Sequence, residues 1–291
     1  MQNNKECYGV VILLDFLGVS LFNNEECKRF LKIRNEIMDH IDNAEPLLRE
    51  NTGDLGKSLP DDFKIKSFAF GDNLMITIDL GIDSKKFLDE NIYEAYKIMP
   101  IPYISHFVSR SFIYAMENKY IFRGAISIGN FIESRNNEND VSVIGEAVAD
   151  AAAWHEKADW GGVIFTPKAS YYLDGIQLNY KLLRKEEAEI YKNIQYQSYL
   201  KYPVPIKASQ QKELWAIAWP SQLFLDSKNR SKIESQKYIH LLLSEMPITK
   251  GTEEKYENTL NFALNYLKNI TDENINEIKH RNADVYKKIN E

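Results

Sequence analysis

Residues 8–20, YGVVILLDFLGVS, decide how the rest of the chain is read. From Tyr8 to Leu14 the run is apolar and β-branched without alternation, the pattern of a strand buried on both faces. It stops at Asp15, and Phe16-Leu17-Gly18-Val19-Ser20 follows, with a glycine where the chain must turn. Residues 24–50 then read as a helix, with Asn24 as its N-cap. An acid at the end of a buried strand, beside a glycine turn and a helix start, stands where backbone amides can face an anion.

A second decisive stretch lies at 63–80. FKIKSFAF and NLMITIDL flank Gly71-Asp72, a strong hairpin signal between two apolar strands. Between these stretches, residues 51–62 read as a loop. Residues 84–117 read as helix interrupted at Pro100 and Pro102, and YIFRGAISIG (120–129) as another strand. A polar excursion is expected at 133–140, then a short strand leading into an alanine-rich helix over 141–158. GGVIF (161–165), IQLNYKLL (176–183) and ELWAIAW (213–219) supply further strands, and from 221 onward the pattern is helical. The class is α+β, with a β-rich unit at 1–220 and a helical C-terminal extension at 221–291.

Composition narrows the function. A net charge of −6, from 36 basic and 42 acidic residues, argues against a broad nucleic-acid surface. Two cysteines, Cys7 and Cys27, cannot build a disulfide framework or a four-cysteine zinc site. The first residues carry no charged stretch leading into an apolar one, and VVILLDFLGV is too short to span a bilayer. A cytoplasmic protein that binds neither membrane nor nucleic acid is expected.

Three apparent motifs carry no chemistry. GDLGKS at 53–58 lacks the first glycine of a phosphate-binding loop and follows a helix. His155-Glu156 with Asp159 has no third ligand in view for zinc. Asn269-Ile270-Thr271 is a glycosylation sequon that a cytoplasmic chain never presents to that machinery. Asp15 and Asp72 differ in kind. Two carboxylates at the ends of neighbouring core strands can hold two divalent metals ~3.5–4 Å apart against a triphosphate. Helix capping by Asp15 and turn formation by Asp72 account for both residues equally well on local grounds. Where two such carboxylates face each other without metal they repel, so removing either is expected to raise the melting temperature.

A resemblance separates these readings. DFLGVS resembles the first-strand motif of the class III adenylate and guanylate cyclases, and FAFGDNLMI (68–76) their metal-binding hairpin. FRGAISIG (122–129) resembles their later central strand, and GEAVADAAAWHEKA (145–158) the helix that follows it. The four blocks occur in the family's order over roughly residues 8–185. The resemblance implies a ferredoxin-like βαββαβ catalytic core and two Mg²⁺ or Mn²⁺ ions on Asp15, Asp72 and the Phe16 carbonyl. It also implies phosphate binding by the amides of Phe16, Leu17, Gly18, Val19 and Ser20. The family's base-reading positions fall on Phe68 and Ser142, where Phe68 fills part of a purine pocket and leaves room for a smaller base. Its transition-state asparagine and arginine fall on Ala149 and Ala153, so Arg123 is expected to supply the missing cation.

In its short form, its Phe68 and its ELWAIAWP strand, the chain is most similar to the bacterial Pycsar pyrimidine cyclases. That similarity implies conversion of UTP to cyclic UMP, with CTP as the rival substrate, as an antiphage signal to a separately encoded effector. It also implies a homodimer with composite sites. A purine cyclase with an unusual pocket and a catalytically silent cyclase-like domain remain the alternatives.

Overall fold

The computed structural model describes residues 3–19, 22–51, 59–81, 100–137, 140–180, 198–208, 210–225, 230–248 and 251–279. In chain order these form β1 (Asn3–Phe16), α1 (Asn24–Asp42), α2 (Ala44–Asn51), β2 (Lys64–Phe70) and β3 (Asn73–Asp79). Then come α3 (Pro100–Glu117), β4 (Phe122–Asn137), β5 (Asp140–Ile144), α4 (Glu146–Trp154), β6 (Gly162–Phe165) and α5 (Pro167–Tyr180). β7 (Tyr199–Ile206), β8 (Gln210–Ile217), a 3₁₀ turn (Trp219–Phe224), α6 (Lys232–Ser244) and α7 (Glu253–Asn269) complete the labelled elements.

The strands make one eight-stranded sheet ordered β2-β3-β1-β4-β6-β8-β7, with β5 paired to β4. The decisive apolar run is β1, at the centre between β3 and β4 and antiparallel to both. With α1 and α2 between β1 and β2, and α3 between β3 and β4, the order β2-β3-β1-β4 is the split βαβ arrangement of a ferredoxin-like core. The α+β class and this core are what the sequence leads one to expect.

Side chains alternate across β1, so its two faces meet different partners. Val10, Ile12, Leu14 and Phe16 enter the main core with Phe30, Ile33, Ile37 and Ile41 of α1. The spacing of those α1 residues is that of one helical stripe. On the opposite face, Cys7 and Val11 join Met75, Phe131, Ala147 and Ala151 in a smaller cluster, with Leu13 and Phe68 at its edge. Helix α4 packs there through Ala147 and Ala151, and this cluster is far smaller than the main core, so the second face is the thinly covered one.

Several local expectations are corrected. Asn23, not Asn24, caps α1, because its carboxamide then reaches the amides of Glu25 and Glu26 while the Glu26 carboxylate accepts the Asn23 amide. The helix expected over 24–50 breaks at Asn43. Pro46 has no amide proton and its ring would strike the Asp42 carbonyl of a continuous helix. The expected polar excursion at 133–140 contains paired strand instead, with β4 running to Asn137 and β5 returning from Asp140. Residues 176–180 of the expected strand IQLNYKLL are the end of α5, whose buried Ala169, Ser170 and Leu173 follow helical spacing. The rest of that stretch, the GDLGKS motif and most of the helix expected before Pro100 lie outside the described residues. Sequence reading missed β7, which carries Pro203 and Pro205; it ends the strand order beside β8, with a single bridge from Ile206 to Ala158 on its other side, an edge position where proline is tolerated.

The last helices join the same core. Trp160 stacks on Tyr202 and meets the Phe262 ring edge-on at 4.5 Å, and Phe262 also lies against Trp219. Ile239, Leu242 and Leu243 of α6 belong to the same hydrophobic cluster as β1. The expected boundary at 220 falls inside the buried turn Trp219–Phe224. Among the described residues no helix is long and apolar enough to cross a membrane.

Candidate active site

Asp15 lies at the end of β1, opposite Asn73 of β3 and Arg123 of β4. Alternation puts its side chain on the thinly covered face, with Leu13 and Val11. Asp72 forms the β2–β3 turn, and its carbonyl accepts the Phe16 amide at 3.2 Å. Both carboxylates therefore leave the backbone at the same end of adjacent strands. Gly71 turns the hairpin at φ +61°, and Arg34 of α1 fixes that tip by donating from Nη1 to the Gly71 carbonyl at 2.6 Å. Sequence reading had no means of finding Arg34, a charged residue on a helix with no spacing to mark it.

Arg123 is buried and fully engaged. Its Nε and Nη2 both reach Asp15 Oδ2 at 2.9 Å, and its Nη1 donates to the Glu156 carbonyl at 2.9 Å. Arg123, expected to supply the missing cation, clamps one oxygen of Asp15 with its guanidinium and leaves Oδ1 without a hydrogen bond among the described residues. The phosphate-facing amides also narrow. Phe16 donates to Asp72, and the Leu17 amide to the Ile121 carbonyl at 2.9 Å, so among the described residues only Gly18 and Val19 remain for an anion. Gly18, at φ +82° with nothing within 4 Å of where a β-carbon would stand, holds the turn open there. Ser20 lies outside the described residues. The Phe16 side chain is core, meeting Phe30 and Phe122 edge-on.

Helix α4 crosses this face, anchored by Asp150, which accepts from Ser127 Oγ at 2.6 Å and Thr166 Oγ1 at 2.5 Å. Ala149 and Ala153 are exposed on it. Phe68 is half-buried beside the smaller cluster and sits opposite Met75. Ser142 is exposed on β5, opposite Ser134. Phe68 and Val143, the neighbour of Ser142, border the same cluster through the shape of β4. Lys66 of β2 pairs with Glu133 of β4, although β3 and β1 lie between those strands in the sheet. On a flat sheet three strand spacings, ~14 Å, would separate them, so the far half of β4 curls over this face. Val143, opposite Glu133, consequently belongs to the same cluster as Phe68.

Among the described residues no three His, Cys, Asp or Glu side chains gather as a metal cluster. His155 instead turns to the Ala152 carbonyl, 2.8 Å from Nδ1. Asp15 and Asp72 are nevertheless a hard-oxygen donor pair with unengaged oxygens. That chemistry fits Mg²⁺ or Mn²⁺, which keep several positions for water and substrate phosphate.

No family model matches the chain, and no curated protein matches it. Solved structures do. The guanylyl cyclase domain of the RhoGC fusion protein from the fungus Blastocladiella emersonii is 8% identical, covering 74% of this chain and 97% of its own, at a TM-score of 0.39. The adenylyl cyclase CyaB from P. aeruginosa is 10% identical over 75% of this chain and 96% of its own, at 0.39. The guanylate cyclase domain of RhGC from Catenaria anguillulae, solved with GTP, is 9% identical over 74% and 98%, at 0.37.

Proposed function

We propose that this protein is a nucleotidyl cyclase that closes a pyrimidine nucleoside triphosphate, UTP foremost, to its 3′,5′-cyclic monophosphate and releases pyrophosphate. One observation carries the reading: Asp15 and Asp72 emerge at one end of adjacent strands, joined backbone to backbone, on the face that the main core leaves thinly covered. Asp15 through Oδ1, Asp72 and the Phe16 carbonyl would hold the divalent ions. Such ions supply neutralisation of charge on the transferring phosphoryl group. Arg123 acts on Asp15, fixing its orientation; the Gly18 and Val19 amides face the phosphates; Phe68 and Ser142 border the base. The half-buried apolar side chains of this face, Leu13, Phe68 and Val143, fit a second copy of the chain, which would make the sites composite. The resemblance in sequence supports a cytoplasmic signalling role in antiphage defence, with a separate effector that reads the cyclic product.

A domain that binds nucleotide without turning it over is the second reading. Ala149 and Ala153 stand exposed where the resembling family carries transition-state groups, and Arg123 is engaged with Asp15. Base selection tests the first reading. A pocket narrowed by an aromatic ring excludes larger bases by bulk. With Phe68→Ala, the use of ATP and GTP relative to UTP, measured as kcat/KM, is expected to rise by about 10-fold or more. An unchanged ratio would remove Phe68 from the pocket.

A further inference from the structure

We infer that Lys255, on the C-terminal helix α7, is a polyphosphate-binding residue of this same site. The inference rests on the cyclase reading for the identity of the ligand, though not for the position of the lysine. Three bonds and contacts dock α7 against the segment that enters β6. The Thr259 hydroxyl accepts the Gly161 amide at 2.6 Å, the Asn258 carboxamide donates to the Asp159 carbonyl at 2.8 Å, and Phe262 packs on Trp160. Gly161 is needed for this approach, because a β-carbon there would meet Ile121 at 2.2 Å and the Thr259 hydroxyl at 3.1 Å.

That docked segment leads through Arg123 to Asp15. Gly162 is the register partner of Arg123, and Arg123 is the register partner and ion-pair partner of Asp15. Lys255 lies four residues before Thr259, hence one turn away on the same helix face, and its carbonyl accepts the Thr259 hydroxyl at 2.6 Å. Its ammonium feels the charges of Arg123, Asp159, Lys207 and Asp15, and burial, then Arg123, holds it below the ordinary lysine value. It is half-buried and makes no ion pair among the described residues.

Of the other cations at this end, Lys207 is exposed to solvent and three are occupied. Lys157 and Lys212 lie over the Trp154 ring, at 4.1 and 5.1 Å from its centroid, and Arg123 is bound to Asp15 and Glu156. A half-buried cation held near Asp15, in no ion pair among the described residues, is what a metal-bound triphosphate needs from its surroundings. The cation that sequence reading sought in Arg123 is thus supplied from the helical extension. Its spacing gave no sign of this, because contacts between residues some hundred positions apart bring α7 to the segment before β6.

The test is calorimetric titration of the full-length protein with magnesium tripolyphosphate at fixed ionic strength, using the parent, Lys255→Ala, Lys255→Arg and Lys268→Ala. Lys268 is exposed near the far end of the same helix and removes an equal charge. Lys255→Ala should weaken binding about 10-fold or more, Lys255→Arg should largely restore it, and Lys268→Ala should match the parent. Parent-like binding by Lys255→Ala, an equal loss in Lys268→Ala, or no binding by the parent overturns the inference. Product assays on the same variants separate the two claims. Lys255-dependent binding without any cyclic product upholds the inference and sinks the cyclase reading. Cyclisation by Lys255→Ala at the parent's KM does the reverse.

Discussion

Asp15→Ala is expected to lose turnover and stability together, whereas Asp72→Ala is expected to lose turnover alone. Either change removes a metal ligand, which should lower kcat by roughly 10³-fold or more. Their effects on the fold diverge because their neighbours differ. Asp15 is the partner of a buried guanidinium, with side-chain exposures of 8% for Arg123 and 13% for Asp15. Removing it strands that charge and should cost about 3 kcal/mol. Asp72 forms no ion pair among the described residues, its one side-chain bond is to neighbouring Asn73 at 3.2 Å, and its structural bond to Phe16 is made by the backbone carbonyl. Its loss should leave the melting temperature unchanged or slightly higher, since a carboxylate beside Asp15 is removed. The expectation from sequence, that deleting either acid stabilises, thus fails for Asp15 because of Arg123. Thermal melts in chelator on both variants decide it; equal shifts would contradict the assigned pairing.

The second large effect concerns Gly9. It lies mid-β1, opposite Asp79 on one side and Gly129 on the other. A β-carbon there would stand 1.8 Å from the Ile78 carbonyl oxygen, a backbone atom that cannot swing away. Gly9→Ala must push β1 from β3 and loosen the ladder that sets Asp15 beside Asn73. The cost should be about 3 kcal/mol or more, seen as a fall in melting temperature of roughly 10 °C. A variant that melts with the parent would mean that the β1–β3 approach is looser than described.

What the sequence disclosed follows from where its signals are local. The buried strand at 8–14 and the Gly71-Asp72 hairpin were legible because apolar continuity and turn chemistry are written in consecutive residues. Pairing the two acids was legible as chemistry only. Their juxtaposition depends on the β1–β3 register, which no local pattern encodes. The partner of Asp15 was hidden for the same reason: Arg123 is 108 residues away and reaches it through the β1–β4 ladder. β7 was missed because its prolines argue against a strand anywhere but at an edge. The second half of β4 was missed because Glu133, a charge in a polar run, is buried against Lys66 only once the sheet curls.

Incubated separately with ATP, GTP, CTP and UTP in Mn²⁺, the parent should yield a cyclic nucleotide, resolved by chromatography, with cyclic UMP the main product. Asp72→Ala, folded as the parent, should yield none. Cyclic AMP or cyclic GMP as the main product would contradict the pyrimidine assignment, and no cyclic product from any of the four would contradict the cyclase itself.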